Sequence, residues 1–204
     1  MAEPAGWFGK MPALGDFASR RLPQTWIAAW DAWLSEELVA AREAFGDDAW
    51  LSLYMVAPIR RFWLAPGLLT RAAWLGVLMP SVDSVGRHFP LTLATPLRAG
   101  HADLVDALAN HDWLAAADAL ARPALDPAFD VPALEQAIAA LPALHGERRG
   151  EEHGGVVLAR ELHARHARLR CVWWCEGASA ADDYLAADAL PRRAAFTALL
   201  GEGG

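Results

Sequence analysis

Four side chains that can move protons or hold charge fall within one short segment: Ser81, Asp83, Arg87 and His88. A hydroxyl, a carboxylate and an imidazole this close invite nucleophilic hydrolysis, with Ser81 attacking, His88 as base and Asp83 as orienter. The surrounding residues argue for a different use. Ser81 and Asp83, following Pro80, have the chemistry of turn residues that bond their own backbone. No Gly-x-Ser-x-Gly elbow encloses Ser81, and catalytic triads usually draw their members from distant parts of a chain. Asp83 and Arg87 suit a bidentate ion pair that fixes the shape of the loop. The other use of Arg87 is recognition of a partner, since its planar fork of donors is enriched at interfaces.

The remaining reactive groups point to no cofactor and no metal. Gly6-Trp7-Phe8-Gly9-Lys10 has glycines and a lysine but neither the P-loop spacing nor a following Ser or Thr. It reads as a strand whose glycines allow close backbone packing. His163 and His166 lie near Glu161, and His145 and His153 flank Glu151 and Glu152. Neither group has the His-Glu-x-x-His spacing, so solvated histidines are expected. Cys171 and Cys175 do not form a redox motif; on a strand they share one face with Trp173. The arginine-rich tract 160–170 reads as a solvated helix face or a charge-guarded edge strand, with contact to an acidic partner as the alternative.

These groups must be positioned by a folded core. The chain has 204 residues, 54% of them hydrophobic, and ten tryptophans. Several of those indoles are expected to lie half-buried at a groove or an interface. Strands are expected at residues 7–11, 60–65, 74–79, 91–97 and 170–175. Pro23 and Thr25 open a helix that Gly46 ends; Trp26, Trp30, Trp33, Leu34, Leu38 and Ala41 form its apolar stripe. Further helices are expected at 50–55, at 103–122 with a break at Asn110, at 132–140 and at 191–200. Residues 156–170 fit a helix or a strand and turn equally well. The charged, glycine-bearing stretch 146–155 reads as a mobile loop. The class is α+β, a mainly antiparallel sheet of about five strands flanked by helices.

Net charge is −7, and the acidic excess lies entirely in the second half of the chain. That balance argues against broad binding of nucleic acid or anionic membrane. No apolar run is long enough to span a membrane and no export signal opens the chain, so a cytoplasmic protein with reduced thiols is expected.

Several blocks, in order, resemble the TagF family, accessory proteins of bacterial type VI secretion. They are Gly6-Trp7-Phe8-Gly9-Lys10-Met11-Pro12 with Gly15-Asp16-Phe17, then Tyr54, Ala57-Pro58 and Arg61-Phe62. Gly76-Val77-Leu78-Met79-Pro80-Ser81-Val82-Asp83 with Gly86-Arg87 and Phe89-Pro90-Leu91 follow, then Trp173-Trp174. The resemblance implies a single domain over residues 1–204 and an α/β sandwich of longin- or profilin-like kind. It also implies a non-enzymatic, cytoplasmic regulator that represses the secretion machine after translation by binding its forkhead-associated scaffold, Fha. No catalytic residues carry over. Lys10, Asp16, Phe17, Ser81, Asp83, Arg87 and His88 are the expected contact positions. The alternatives are a small hydrolase using Ser81, Asp83 and His88, or a structural subunit of the secretion complex.

Overall fold

The computed structural model describes residues 4–144 and 153–201. Seven strands form one sheet: β1 (Gly6–Gly9), β2 (Ala18–Arg20), β3 (Arg60–Leu64), β4 (Trp74–Met79), β5 (Leu91–Pro96), β6 (Cys171–Trp174) and β7 (Leu185–Ala187). Their order is β2-β1-β5-β4-β3-β6-β7, and every neighbouring pair is antiparallel. The α+β class stands, but the sheet has seven strands rather than about five. The two unforeseen strands, β2 and β7, have three residues each. That is too short for alternation of apolar and polar residues to register.

Helices cover both faces. On one lie α1 (Gln24–Phe45), α2 (Asp47–Met55) and α7 (Ala194–Leu200). On the other lie α3 (Leu104–Ala109), α4 (His111–Ala121), α5 (Val131–Ala139) and α6 (His153–Arg165). Central strands therefore bury alternate residues into two separate cores. Phe62 and Leu64 of β3 face α1, while Trp63 faces the opposite layer. Burial on both sides explains why β4 reads as a continuous apolar run rather than an alternating one, and why Phe62, Trp63 and Leu64 of β3 are apolar in succession.

This double cover also corrects the expectation of half-exposed indoles: all ten tryptophans are buried. Trp30 packs against Trp26 at 4.9 Å, Trp33 at 4.8 Å and Phe62 at 5.1 Å between ring centroids. Its Nε1 donates to Thr92 Oγ1 at 2.9 Å, so the polar end is satisfied inside the core. The ambiguous stretch after residue 156 is helical as far as Arg165. Of the loop expected at 146–155, residues 146–152 lie outside the described residues, as do His145, Glu151 and Glu152.

Between β3 and α4, Arg61 donates to Asp118 Oδ2 from Nε at 2.8 Å, and its Nη2 lies 2.5 Å from the same oxygen. Burial pushes the Asp118 pKa up, and Arg61 opposes that rise. Arg61→Leu removes the opposition, so the folded state then holds a proton that the unfolded chain has released. Stability of the variant should fall as pH rises above the usual carboxylate value of about 4. Unfolding free energies from urea titration are expected to separate from those of the parent with rising pH, by on the order of 3 kcal/mol at pH 7. A gap that does not change with pH would mean that the pair is not what holds Asp118 ionised.

Candidate functional site

The segment joining β4 to β5 is a tight turn built around one carboxylate. Val82 and His88 face each other in an isolated antiparallel bridge. The Asp83 N–H donates to the Arg87 carbonyl at 3.1 Å and the Gly86 N–H to the Asp83 carbonyl at 3.0 Å. Gly86 has φ +83°, a left-handed conformation that favours glycine. Asp83 Oδ1 accepts the N–H groups of Val85 at 3.1 Å and Arg87 at 2.9 Å. Its Oδ2 accepts Arg87 Nε at 2.7 Å and lies 3.0 Å from Lys10 Nζ. Burial alone would raise the Asp83 pKa. The backbone and side-chain donors of Arg87, with Lys10 and the Val85 N–H, overcome that and hold it far below the usual carboxylate range. Asp83 thus stays ionised although its side chain is wholly enclosed.

A second loop, residues 10–17 after β1, is sewn to the first. The Ser81 hydroxyl donates to the Lys10 carbonyl at 2.8 Å and the Ser84 N–H to the Leu14 carbonyl at 2.8 Å. Arg87 Nη2 donates to the Gly15 carbonyl at 2.5 Å. Lys10 Nζ sits 4.9 Å from the centre of the Phe17 ring, a cation–π contact. Phe17 in turn lies 4.7 Å from Phe89 and 5.8 Å from Phe8. Gly9 is required where the loop leaves β1: a Cβ there would fall 2.1 Å from the Pro90 carbonyl oxygen, and its φ is +139°. From α2, the Tyr54 hydroxyl accepts the Ser81 N–H at 3.0 Å and donates to the Ser81 carbonyl at 2.9 Å. Sequence reasoning left Tyr54 out of the site. Its only signal was its place among the family-like blocks.

This arrangement has consequences for each expected site residue. Lys10, Ser81 and Asp83 are buried. Side chains of Asp16 and Arg87 are 82% and 55% exposed, and Phe17 is 44% exposed. His88 is half-buried, its ring edge-on to Tyr54 at 5.5 Å and Trp50 at 5.8 Å. Burial, with Lys10 and Arg42 nearby, lowers the His88 pKa, against a smaller pull from Asp83. Two of the three groups of the hydrolase reading are therefore committed elsewhere. The Ser81 hydroxyl is directed to a carbonyl and the Asp83 carboxylate to two cations. The Asp83–Arg87 ion pair is present but not in the bidentate form expected: Nε alone meets the carboxylate, because Nη2 is turned to the Gly15 carbonyl.

Among the described residues, no three His, Cys, Asp or Glu side chains are grouped as metal ligands would be. His163 Nδ1 lies 2.7 Å from the Ala159 carbonyl oxygen, and Glu161 pairs with Arg165 at 2.5 Å. Cys171 is buried, and Cys175 Sγ accepts a hydrogen bond from Arg60. Among the described residues, no helix is long and apolar enough to cross a membrane.

Fold and site together define a class: a seven-stranded antiparallel sheet between helical layers, with two loops locked at one end of its central strands by a buried carboxylate. Residues 6–141 match the family model of the TagF N-terminal domain, described as type VI secretion system-associated, and the chain belongs to that family. It is also similar to the crystal structure of PA0076 from Pseudomonas aeruginosa PAO1. The two share 36% identity with a TM-score of 0.79, over 98% of this chain and 95% of that one. No curated protein matches the sequence.

Proposed function

We propose that this chain is a non-enzymatic, cytoplasmic negative regulator of type VI secretion. It acts after translation by binding the forkhead-associated scaffold of the machine, and residues 1–204 work as one domain. Family membership supplies the secretion context. The observation that carries the contact reading is the division of labour in the locked loops. Lys10, Ser81 and Asp83 are consumed inside, while Asp16, Phe17, Val85 and Arg87 are held outward on a rigid frame. Rigid presentation of an exposed aromatic and charged groups suits protein contact, because little entropy is lost on binding.

The test is capture of the organism's own scaffold, phosphorylated and not, by the full chain. Asp16→Lys with Val85→Asp changes only outward side chains and should weaken capture about tenfold or more while leaving the melting temperature within a degree or two. Capture unchanged by that variant would move the surface elsewhere. No capture in either phosphorylation state would remove the scaffold as partner. Presence in fixed ratio within the purified machine would favour the reading of a structural subunit instead.

A further inference from the structure

The end of the sheet opposite the locked loops is basic. The loops join β4 to β5 beyond Met79 and Leu91, whereas Trp74 and Pro96 face each other at the far end of the same pair. That end lies about 17 Å away along the strands. Four arginines belong to it. Arg71 lies in the turn between β3 and β4, Arg98 follows β5, and Arg168 and Arg170 lead into β6. These strands are neighbours in the order β5-β4-β3-β6, so the ends that carry the four arginines lie within about 15 Å of one another. We propose that this end binds an acidic, carboxylate-rich segment of a protein partner. Arg168 and Arg170 belong to the tract whose alternative use was contact with an acidic partner. The inference does not depend on the scaffold reading and goes beyond it.

Unpaired charge selects the occupant. Arg21, Arg42, Arg61, Arg87, Arg165 and Arg192 each hold a carboxylate of their own chain. Among the described residues, Arg71, Arg98, Arg168 and Arg170 hold none. Arg170 Nη2 donates to the Pro66 carbonyl at 3.3 Å, which leaves the rest of its fork open. Arg71, Arg98 and Arg168 are exposed, and Arg170 is half-buried. Two acids border the group without pairing with it. Asp103 Oδ1 caps α3 by accepting the Asp106 N–H at 2.9 Å, and the exposed Asp188 follows β7, beyond Arg170. Cations thus gather here in excess, in a chain whose net charge is −7. Like charges held together repel, so the arrangement costs stability until an anion meets it. A carboxylate matches the planar fork of a guanidinium. The main chain beneath is already fixed. The Gly67 N–H donates to the Thr70 carbonyl at 2.6 Å, and Trp74 Nε1 to Thr70 Oγ1 at 2.8 Å. The Leu97 N–H donates to the Ala73 carbonyl at 2.9 Å and the Arg170 N–H to the Ala187 carbonyl at 2.8 Å. Anchored main chain with open guanidinium groups keeps the ordering cost of binding low. A long nucleic acid or an anionic membrane would run past the patch onto an acidic chain, whereas a short acidic segment stays within it.

The isotope-labelled full chain is titrated with a short peptide alternating glutamate and glycine, with its lysine counterpart and with single-stranded oligothymidylate. Binding to phosphatidylserine vesicles is read by co-sedimentation. The glutamate peptide should shift the amide resonances of Gly67, Arg71, Arg98 and Arg170, and its affinity should fall with added salt. Arg71→Glu with Arg98→Glu should weaken it about tenfold or more. The same variant should not melt below the parent, because it relieves repulsion as it removes the site. If it does melt lower, Arg71→Gln with Arg98→Gln replaces it, and a several-fold loss of peptide affinity is expected. The proposal is overturned by no shifts at millimolar glutamate peptide, by shifts located elsewhere, by equal shifts from the lysine peptide, or by an affinity unmoved in these variants. Tighter binding of the oligothymidylate or the vesicles overturns the assignment to a protein segment. Asp16→Lys with Val85→Asp, changed only at the locked loops, should hold the glutamate peptide as the parent does. Scaffold captured without any peptide shift sinks the basic end and keeps the scaffold reading. Peptide held at the basic end without scaffold capture sinks the scaffold and keeps the basic end.

Discussion

Asp83→Ala should lower the melting temperature by about 10 °C, the largest loss available to any single substitution in the two loops. The carboxylate is where the Lys10 ammonium of one loop meets the Arg87 guanidinium and two backbone N–H groups of the other. Without it, Lys10 keeps its place under Phe17 with no counter-charge, at a position that is 5% exposed. The Val85 and Arg87 N–H groups lose their acceptor, and Arg87 loses the partner that aims it at Gly15. Removing one member of a buried pair is damaging because the other is left charged and unpaired. The sign of the pH dependence follows from the lowered pKa of Asp83. Its stabilising effect is fully present above the unfolded carboxylate value of about 4 and is lost as pH falls toward the lowered folded value. The gap between parent and variant should therefore be constant from pH 5 to 8 and close only in stronger acid. Lys10→Met separates the two halves of the lock. It leaves Asp83 with Arg87 and two backbone donors, so its loss should be smaller than that of Asp83→Ala. If Asp83→Ala melts with the parent, the loops are held by their aromatic contacts instead.

How much of this was legible in the sequence depended on range. The Asp83–Arg87 pair is local, and spacing alone suggested it. Lys10 completes the same cluster from the end of β1, and nothing near Lys10 announces a distant carboxylate. The end of strand β4 was legible because the apolar run that begins at Ala72 stops at Pro80. The break between α3 and α4 was legible because Asn110 disfavours helix interior, and there its side chain donates to the Asp106 carbonyl at 2.7 Å. Burial of the tryptophans was misjudged for a different reason. A sheet with one wet face would leave indoles at its margin, and composition does not say that helices cover both faces. The site residues were named as one contact set. Only packing could divide them into Lys10, Ser81 and Asp83, which shape the loops, and the outward groups that remain free to meet a partner.

A fragment ending at residue 141, where the family match ends, is expected not to fold on its own. It keeps five strands but leaves β3 as an edge, because β6 pairs with residues 61–64 along its length. Trp173 disappears from a cluster in which it lies 5.2 Å from Phe62 and 5.5 Å from Trp33. Loss of a buried aromatic of that size alone removes about 3–5 kcal/mol. Two buried charges are also stranded. Glu37, 1% exposed, accepts the Arg193 N–H at 2.6 Å. Arg60 donates to the carbonyls of Ala198 at 3.0 Å, Leu199 at 2.8 Å and Gly201, holding the far end of α7. Both would face the loss of their acceptor or donor inside a half-open core, against a total stability of about 5–15 kcal/mol for a whole domain. The amide spectrum of the fragment should therefore be collapsed and its thermal transition absent, whereas residues 4–201 should melt cooperatively. Arg60→Ala in the full chain isolates one of these terms and should loosen α7 first, seen as faster amide exchange across residues 194–200 than across α1. A cooperative melt of the fragment would instead place a self-sufficient unit inside the matched segment and reduce Glu37, Arg60 and Trp173 to local packing.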